Sequence, residues 1–194
     1  MNENRCESLS SDRETIGYPS IDLAAFKAAM RNLSAGVTIV STGQGAQRRG
    51  LTVSAACSLS GEPPSVLVCL NTASEAVETA TLTGSFAVNF LGFDQLDLAL
   101  RFAGHGGARH EAKFDMGSWT RLSTGAPVLA NALCSVDCEL AEAIPFGSHM
   151  ILIGRIVDTV RRVEGEPLMY FRGQFAQILP KDFLDGYVES GFEA

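Results

Sequence analysis

Apolar residues recur at helical spacing in one early stretch. Leu23, Phe26, Ala29, Met30 and Leu33 fall on one helix face, with Ser20 placed as its cap and Gly36 ending the region. From there the period shortens to that of strands. Val37–Ser41 alternates β-branched residues and stops at Gly43-Gln44-Gly45, followed by a polar loop through Arg49. Leu51–Leu59 reads as a second strand, rich in small residues. Pro63-Pro64 then breaks the chain before Val66-Leu67-Val68-Cys69-Leu70, a continuous apolar run suited to a strand buried on both faces. A short helix is predicted from Ser74 to Leu82, stopped by Gly84, and a strand over Phe86–Leu91. Asp94 is placed to cap a helix carrying Leu96, Ala99, Leu100 and Phe102, which runs out in Gly104-His105-Gly106-Gly107. The second half predicts strands over Cys134–Ala143, Met150–Val160 and Gln174–Leu179, with Pro167-Leu168-Met169-Tyr170 just before the last.

Six or seven strands joined by turns, with two or three short helices, lack the strand–helix alternation of a doubly wound sheet. Closure of such strands into a barrel removes their exposed edges. The expected fold is therefore mainly β, an antiparallel barrel with peripheral helices. Residues 1–19 are polar, end in Gly17-Tyr18-Pro19, and read as an arm or a subunit-contacting tail; residues 20–194 read as one domain.

Composition narrows the function. With 46% apolar and 19% charged residues the chain has the balance of a folded protein. Its 15 Lys and Arg against 22 Asp and Glu give a net charge of −7, which disfavours nucleic acid or an anionic membrane as the main partner. The uncharged stretch Leu122–Val136 is shorter than the ~18 apolar residues of a spanning helix. The opening MNENRCESLSSDRE lacks the apolar core of a signal peptide, so a cytoplasmic protein is expected.

Of five cysteines only Cys134 and Cys138 lie close in sequence, and no C-x-x-C pair occurs; Cys57 and Cys69 read as small core residues. His105, His110 and His149 are widely spaced, and no metal site is expected. The chain also lacks G-x-G-x-x-G, the P-loop pattern and a G-x-S-x-G elbow. Two segments are informative. Thr52 and Ser54 lie two apart on a strand and share a face beside Ala55 and Ala56. Their hydroxyls suit either a flat ligand or bonds to sheet neighbours. Asn71-Thr72-Ala73-Ser74 leaves a buried strand and enters a helix, suiting either an anion site or an ordinary cap.

Taken together these segments resemble something more specific. From Phe26 to Leu179 the stretches SAGVTIVST, GLTVSAACSLSGEPPSVLVCLN, FAVNFL, QLDLALRFAG, KF (Lys113, Phe114), GAPVLANALCSVDCEL, GSHMILIGRI and PLMYFRGQF follow one another in order. This ordered set resembles the flavin reductase-like family of FMN-binding split barrels, small reductase components of two-component flavin-dependent monooxygenases. The resemblance implies a homodimer with flavin near the subunit interface, and hydride transfer from NADH or NADPH to FMN or FAD for a partner monooxygenase. Thr52, Val53, Ser54, Ala55, Ala56 and Ser58 match the strand meeting the isoalloxazine edge. Cys69, Leu70, Asn71, Thr72 and Ser74 match the segment entering the phosphate-binding turn. Tyr170 and Phe175 match the last aromatic segment, and His149 the histidine of the family's Gly-Asp-His motif beside the nicotinamide. Here Ser148 stands where the family often has Asp, which alters how His149 is oriented and charged. Arg48 and Arg49 read as solvated loop charges. The alternatives are an oxidase of the pyridoxamine-phosphate-oxidase type and a non-catalytic flavin-binding protein.

Overall fold

A computed structural model describes residues 17–178, so most of the predicted arm, and Leu179, lie outside the described residues. In chain order the elements are α1 (Leu23–Met30), β1 (Ala35–Gly36), β2 (Thr38–Thr42), β3 (Arg49–Val53), β4 (Ala56–Gly61), β5 (Pro64–Asn71), α2 (Glu75–Thr83) and β6 (Ser85–Phe90). They continue with α3 (Leu96–Phe102), β7 (Trp119–Arg121), β8 (Pro127–Leu129), β9 (Cys134–Phe146), β10 (His149–Arg161), β11 (Met169–Phe171) and β12 (Gln174–Ala176).

Seven strands form one antiparallel sheet in the order β3-β2-β6-β9-β10-β5-β4. Its two edge strands, β3 and β4, are consecutive in the chain, with only Ser54 and Ala55 between them. Two residues span at most ~7 Å, so the edges must meet and the sheet must roll into a barrel. The Cys69 N–H closes the corner on the Ala55 carbonyl at 2.9 Å. The expected barrel is present, and the predicted strand over residues 51–59 is instead two strands that bend at Ser54-Ala55.

Side-chain period explains the packing. Along β5, Val66, Val68 and Leu70 are buried and point inward, while Leu67 and Cys69 are half-buried on the outside. The inward set joins Val40, Phe86, Val88, Cys138 and Leu152, and α2 packs Val77 and Ala80 into the same core. Strand β2 is buried on both faces: Ile39 turns outward into a second core with Leu98, Ala99, Phe102, Phe114, Leu129 and Leu168. There Phe102, Phe114 and Trp119 stack at centroid distances of 4.8–5.3 Å.

Several local predictions are corrected. The cap of α1 is Asp22, whose carboxylate accepts from the Ala25 N–H at 2.8 Å; Ser20 lies too far upstream to reach that turn. Asp94 caps no helix. It is engaged by Arg162 at 2.7 and 2.9 Å, and Gln95 instead accepts from the Gly92 N–H at 3.0 Å. The short strands β7 and β8 were not expected. Buried polar groups hold β8, and β7 pairs with it: Asn89 accepts from the Leu129 N–H, and the Ser41 and Ser135 hydroxyls donate to the Pro127 and Leu129 carbonyls. No helix among the described residues is long and apolar enough to cross a membrane.

Candidate functional site

Two clefts of about 370 and 380 Å³ follow β3. The first is lined by Arg49, Gly50 and Leu51, the second by Thr52, Val53 and Ser54. The opposite wall is also shared, because Gly104 and Gly107 line the first cleft and Ala103 and His105 the second. Successive residues of both walls thus make one groove. Gly50 permits the close approach of β3 to α3, since a Cβ there would stand 2.8 Å from the Phe102 ring. The wall loop turns through positive φ at Gly104, Gly106 and Gly107, a conformation glycine adopts without strain.

The two ends of the groove differ in chemistry. At one end Tyr170 and Phe175, with rings 5.4 Å apart, join Val37 and Leu100 around the hydroxyl-bearing stretch of β3. At the other end Arg49, Arg109, His110 and Lys113 surround Ser74, the cap of α2, where the helix dipole favours an anion. Lys113 donates to the Gly50 and Phe102 carbonyls at 3.2 and 2.9 Å, and burial pushes its ammonium pKa down. Among the described residues it has no carboxylate within 4 Å. A half-buried ammonium without an ion-pair partner, beside a helix start, suits a phosphate group. A planar, partly apolar ring fits the aromatic end. The donor set therefore fits a flavin mononucleotide.

The predicted site residues divide among several places. Thr52, Val53, Ser54, Tyr170 and Phe175 come together at the aromatic end, and Ser74 lies at the cationic end. Thr52 donates its hydroxyl to the Ala99 carbonyl at 2.6 Å, so it joins β3 to α3 and keeps only acceptor capacity. Ala55 lines a further cleft of about 370 Å³ against α1, which shares Ser54, Tyr170 and Gly173 with the groove. Ala56 packs against the barrel core, Leu70 is 1% exposed within it, and Cys69 is tied through its N–H to Ala55. Ser58 is exposed on β4, and neither it nor Leu70 lines any of these clefts.

Asn71 and Thr72 shape the turn into α2. Asn71 accepts from the Ala73 N–H at 2.9 Å, and Thr72 donates through its N–H and hydroxyl to the Ser148 carbonyl. His149 pairs with Asn71 across the ladder and is exposed at that rim, with the Ser148 hydroxyl 2.9 Å from its Nδ1. It lines none of the three clefts of a single chain. Sequence reasoning missed the cationic end. Arg49 lines it rather than lying in a solvated loop, whereas Arg48 pairs with Glu111 at 3.0 Å and stacks over Phe114. The available signal was Lys113 in the KF pair, close after the glycine-rich loop.

The chain is similar to known proteins over most of its length. The profile of the flavin reductase like domain matches residues 30–179. A protein named FMN reductase (NADH) RutF, from Agrobacterium fabrum strain C58, is 41% identical over 169 residues, covering 87% of this chain and 94% of that protein. Among solved structures, BorF, the flavin reductase component of a bacterial two-component tryptophan halogenase, superposes with a TM-score of 0.75 at 31% identity, covering 82% of this chain and 100% of that one. The Streptomyces globisporus NADH:FAD oxidoreductase SgcE6, in complex with NAD and FAD fragments, gives a TM-score of 0.75 at 28% identity, covering 82% of this chain and 94% of that one.

Proposed function

The chain belongs to the flavin reductase-like family, and from that premise we propose that it is an NADH-dependent FMN reductase supplying reduced flavin to a partner monooxygenase. The observation that carries the reading is the polarity of the groove along β3, aromatic and hydroxyl-bearing at one end and cationic at the other. The bound flavin supplies a ring that accepts a hydride from the reduced nicotinamide. The chain supplies placement. Lys113, Arg109 and the start of α2 hold the phosphate, Thr52–Ser54 meet the ring edge, and Tyr170 and Phe175 wall its far side. The Ser148 hydroxyl takes over from the family's carboxylate in orienting His149 at the rim.

We further propose that the working form is a cytoplasmic homodimer. Helix α1 buries none of its residues within one chain. Phe146 at 78% and Ile144 at 41% exposure add outward apolar area on β9, more than an isolated chain would keep against water.

The test follows NADH absorbance with the pure protein, without flavin and then with FMN, FAD or riboflavin. Oxidation that requires added flavin, fastest with FMN, is the expected result. Absence of NADH oxidation with all three flavins would overturn the reading, and oxygen consumption without added flavin would point to an oxidase.

A further inference from the structure

Among the described residues Glu75 is the only carboxylate lining the cationic end of the groove. Its Oε2 accepts from Arg49 Nε at 2.6 Å and stands 2.7 Å from His110 Nδ1. The hydrogen bond from His110 holds the carboxyl below the usual glutamate range, with Arg49 adding to the effect. Glu75 is therefore an anion at neutral pH. It is also the first residue of α2, so it takes the favourable place at that helix dipole. His110 is held at φ 50, a left-handed conformation that a non-glycine residue adopts at a cost.

Arg49 and His110 are thus already engaged by an internal anion, while Lys113 and Arg109 have no ion-pair partner among the described residues. A phosphate entering the cleft meets this carboxylate as a like charge, or must displace it from Arg49 and His110.

We propose that Glu75 is an affinity-setting residue, an internal competitor that keeps a phosphorylated flavin exchangeable. The proposal rests on the flavin reductase reading given above. A reductase that hands its product to another protein must release it, and a like charge at the phosphate end weakens binding there while leaving contacts to the ring unchanged. Riboflavin, which has the ring and no phosphate, is blind to this competition.

The experiment compares dissociation constants for FMN and riboflavin, by flavin fluorescence quenching, in the full chain and its Glu75→Gln and Glu78→Gln variants. Glu78 lies on the same first turn of α2, outside the cleft, and serves as the control. Glu75→Gln is expected to tighten FMN roughly tenfold, the scale of removing one like charge from a partly exposed anion site, with riboflavin and the Glu78→Gln control within about twofold of wild type. Lys113→Met is expected to move FMN in the opposite direction. Unchanged or weaker FMN binding by a folded Glu75→Gln protein would overturn the proposal, because the carboxylate would then be orienting Arg49 and His110 for the phosphate. Glu75→Ala carries the same test if the glutamine variant melts early. Wild-type protein that binds neither flavin would instead overturn the underlying reading.

Discussion

Helices α1 and α2 are near twins in sequence terms. They have 8 and 9 residues, apolar faces and side-chain caps, Asp22 and Ser74. Yet α2 buries Ala76, Val77 and Ala80, and α1 buries nothing. Connection accounts for the difference. Helix α2 runs directly between β5 and β6, with Gly84 turning the chain back at φ 67, so its apolar face has no option but the barrel. Helix α1 is fastened to the β11–β12 hairpin by the Arg172 N–H on the Arg31 carbonyl and the Arg172 guanidinium on Asn32. An apolar stripe is thus no guarantee of burial within its own chain, and the connections decide whether the chain covers it.

The strongest way to break this comparison is to charge both faces. Val77→Asp buries an unpaired carboxylate and is expected to cost more than about 3 kcal/mol, read as a collapse of the thermal transition. Phe26→Asp should leave the melting of the single chain nearly unchanged and shift sedimentation from dimer to monomer. If Phe26→Asp melts as early as Val77→Asp, α1 is part of the core after all.

Removing the caps is a milder version. Ser74→Ala is expected to cost about 1 kcal/mol of global stability. Asp22→Ala should instead speed amide exchange near Ala25 with little change in global stability, because α1 buries none of its residues within one chain.

Smaller still is the pair fastening the outer side. Arg162 holds the Asp94 carboxyl below its usual range. Its contribution is present above the unfolded aspartate value of about 3.9 and is lost as pH falls through the lower folded value. With the Asp94 side chain 58% exposed, the pair is worth less than about 1 kcal/mol, so Asp94→Asn should remove a small acid-limb loss from the melting profile.

Thiol chemistry sharpens the contrast without altering stability. Burial beside Asp137 pushes the Cys138 thiol up to about 12, with burial the larger cause, whereas Cys57 is exposed on β4. In the Phe26→Asp monomer at pH 8, a disulfide reagent should modify Cys57 at once and Cys138 only at the rate of unfolding.

What could be read in advance followed from local pattern. The run Val66–Leu70 declares a strand, although its outer face, Leu67 and Cys69, is half-buried and not fully buried as expected, and the α2 stripe with Gly84 declares its own end. The corner at Ser54-Ala55 could not be read, because small residues continue the strand pattern of GLTVSAACSLS without a break. β7 and β8 were hidden because Asn89, Ser41 and Ser135 hold β8 through hydrogen bonds, with β7 paired to it, and not through apolar alternation. At the site, the hydroxyl face and the cap at Ser74 were visible, being contiguous in sequence. The cationic end joins Arg49 to Arg109, His110 and Lys113 from a distant segment, and only the fold brings these together. Thr52 shows that ligand and neighbour readings of a hydroxyl are not exclusive, since its hydroxyl bonds to α3 while the residue lines the groove.

The corner between β3 and β4 also governs how the chain tolerates changes in length. Ala56 opposes Val68 and faces the core, and Cys57 opposes Leu67 on the outside. Adding or deleting one residue between Ser54 and Ala56 would exchange the inner and outer faces of the whole strand, because side-chain direction has a period of two. The polar turn at Gly43–Arg48 carries no such phase, and lengthening it ahead of Arg48 costs loop entropy without exchanging the faces of a strand. Insertions and deletions are therefore expected to accumulate at that turn, and the two-residue link to keep its length.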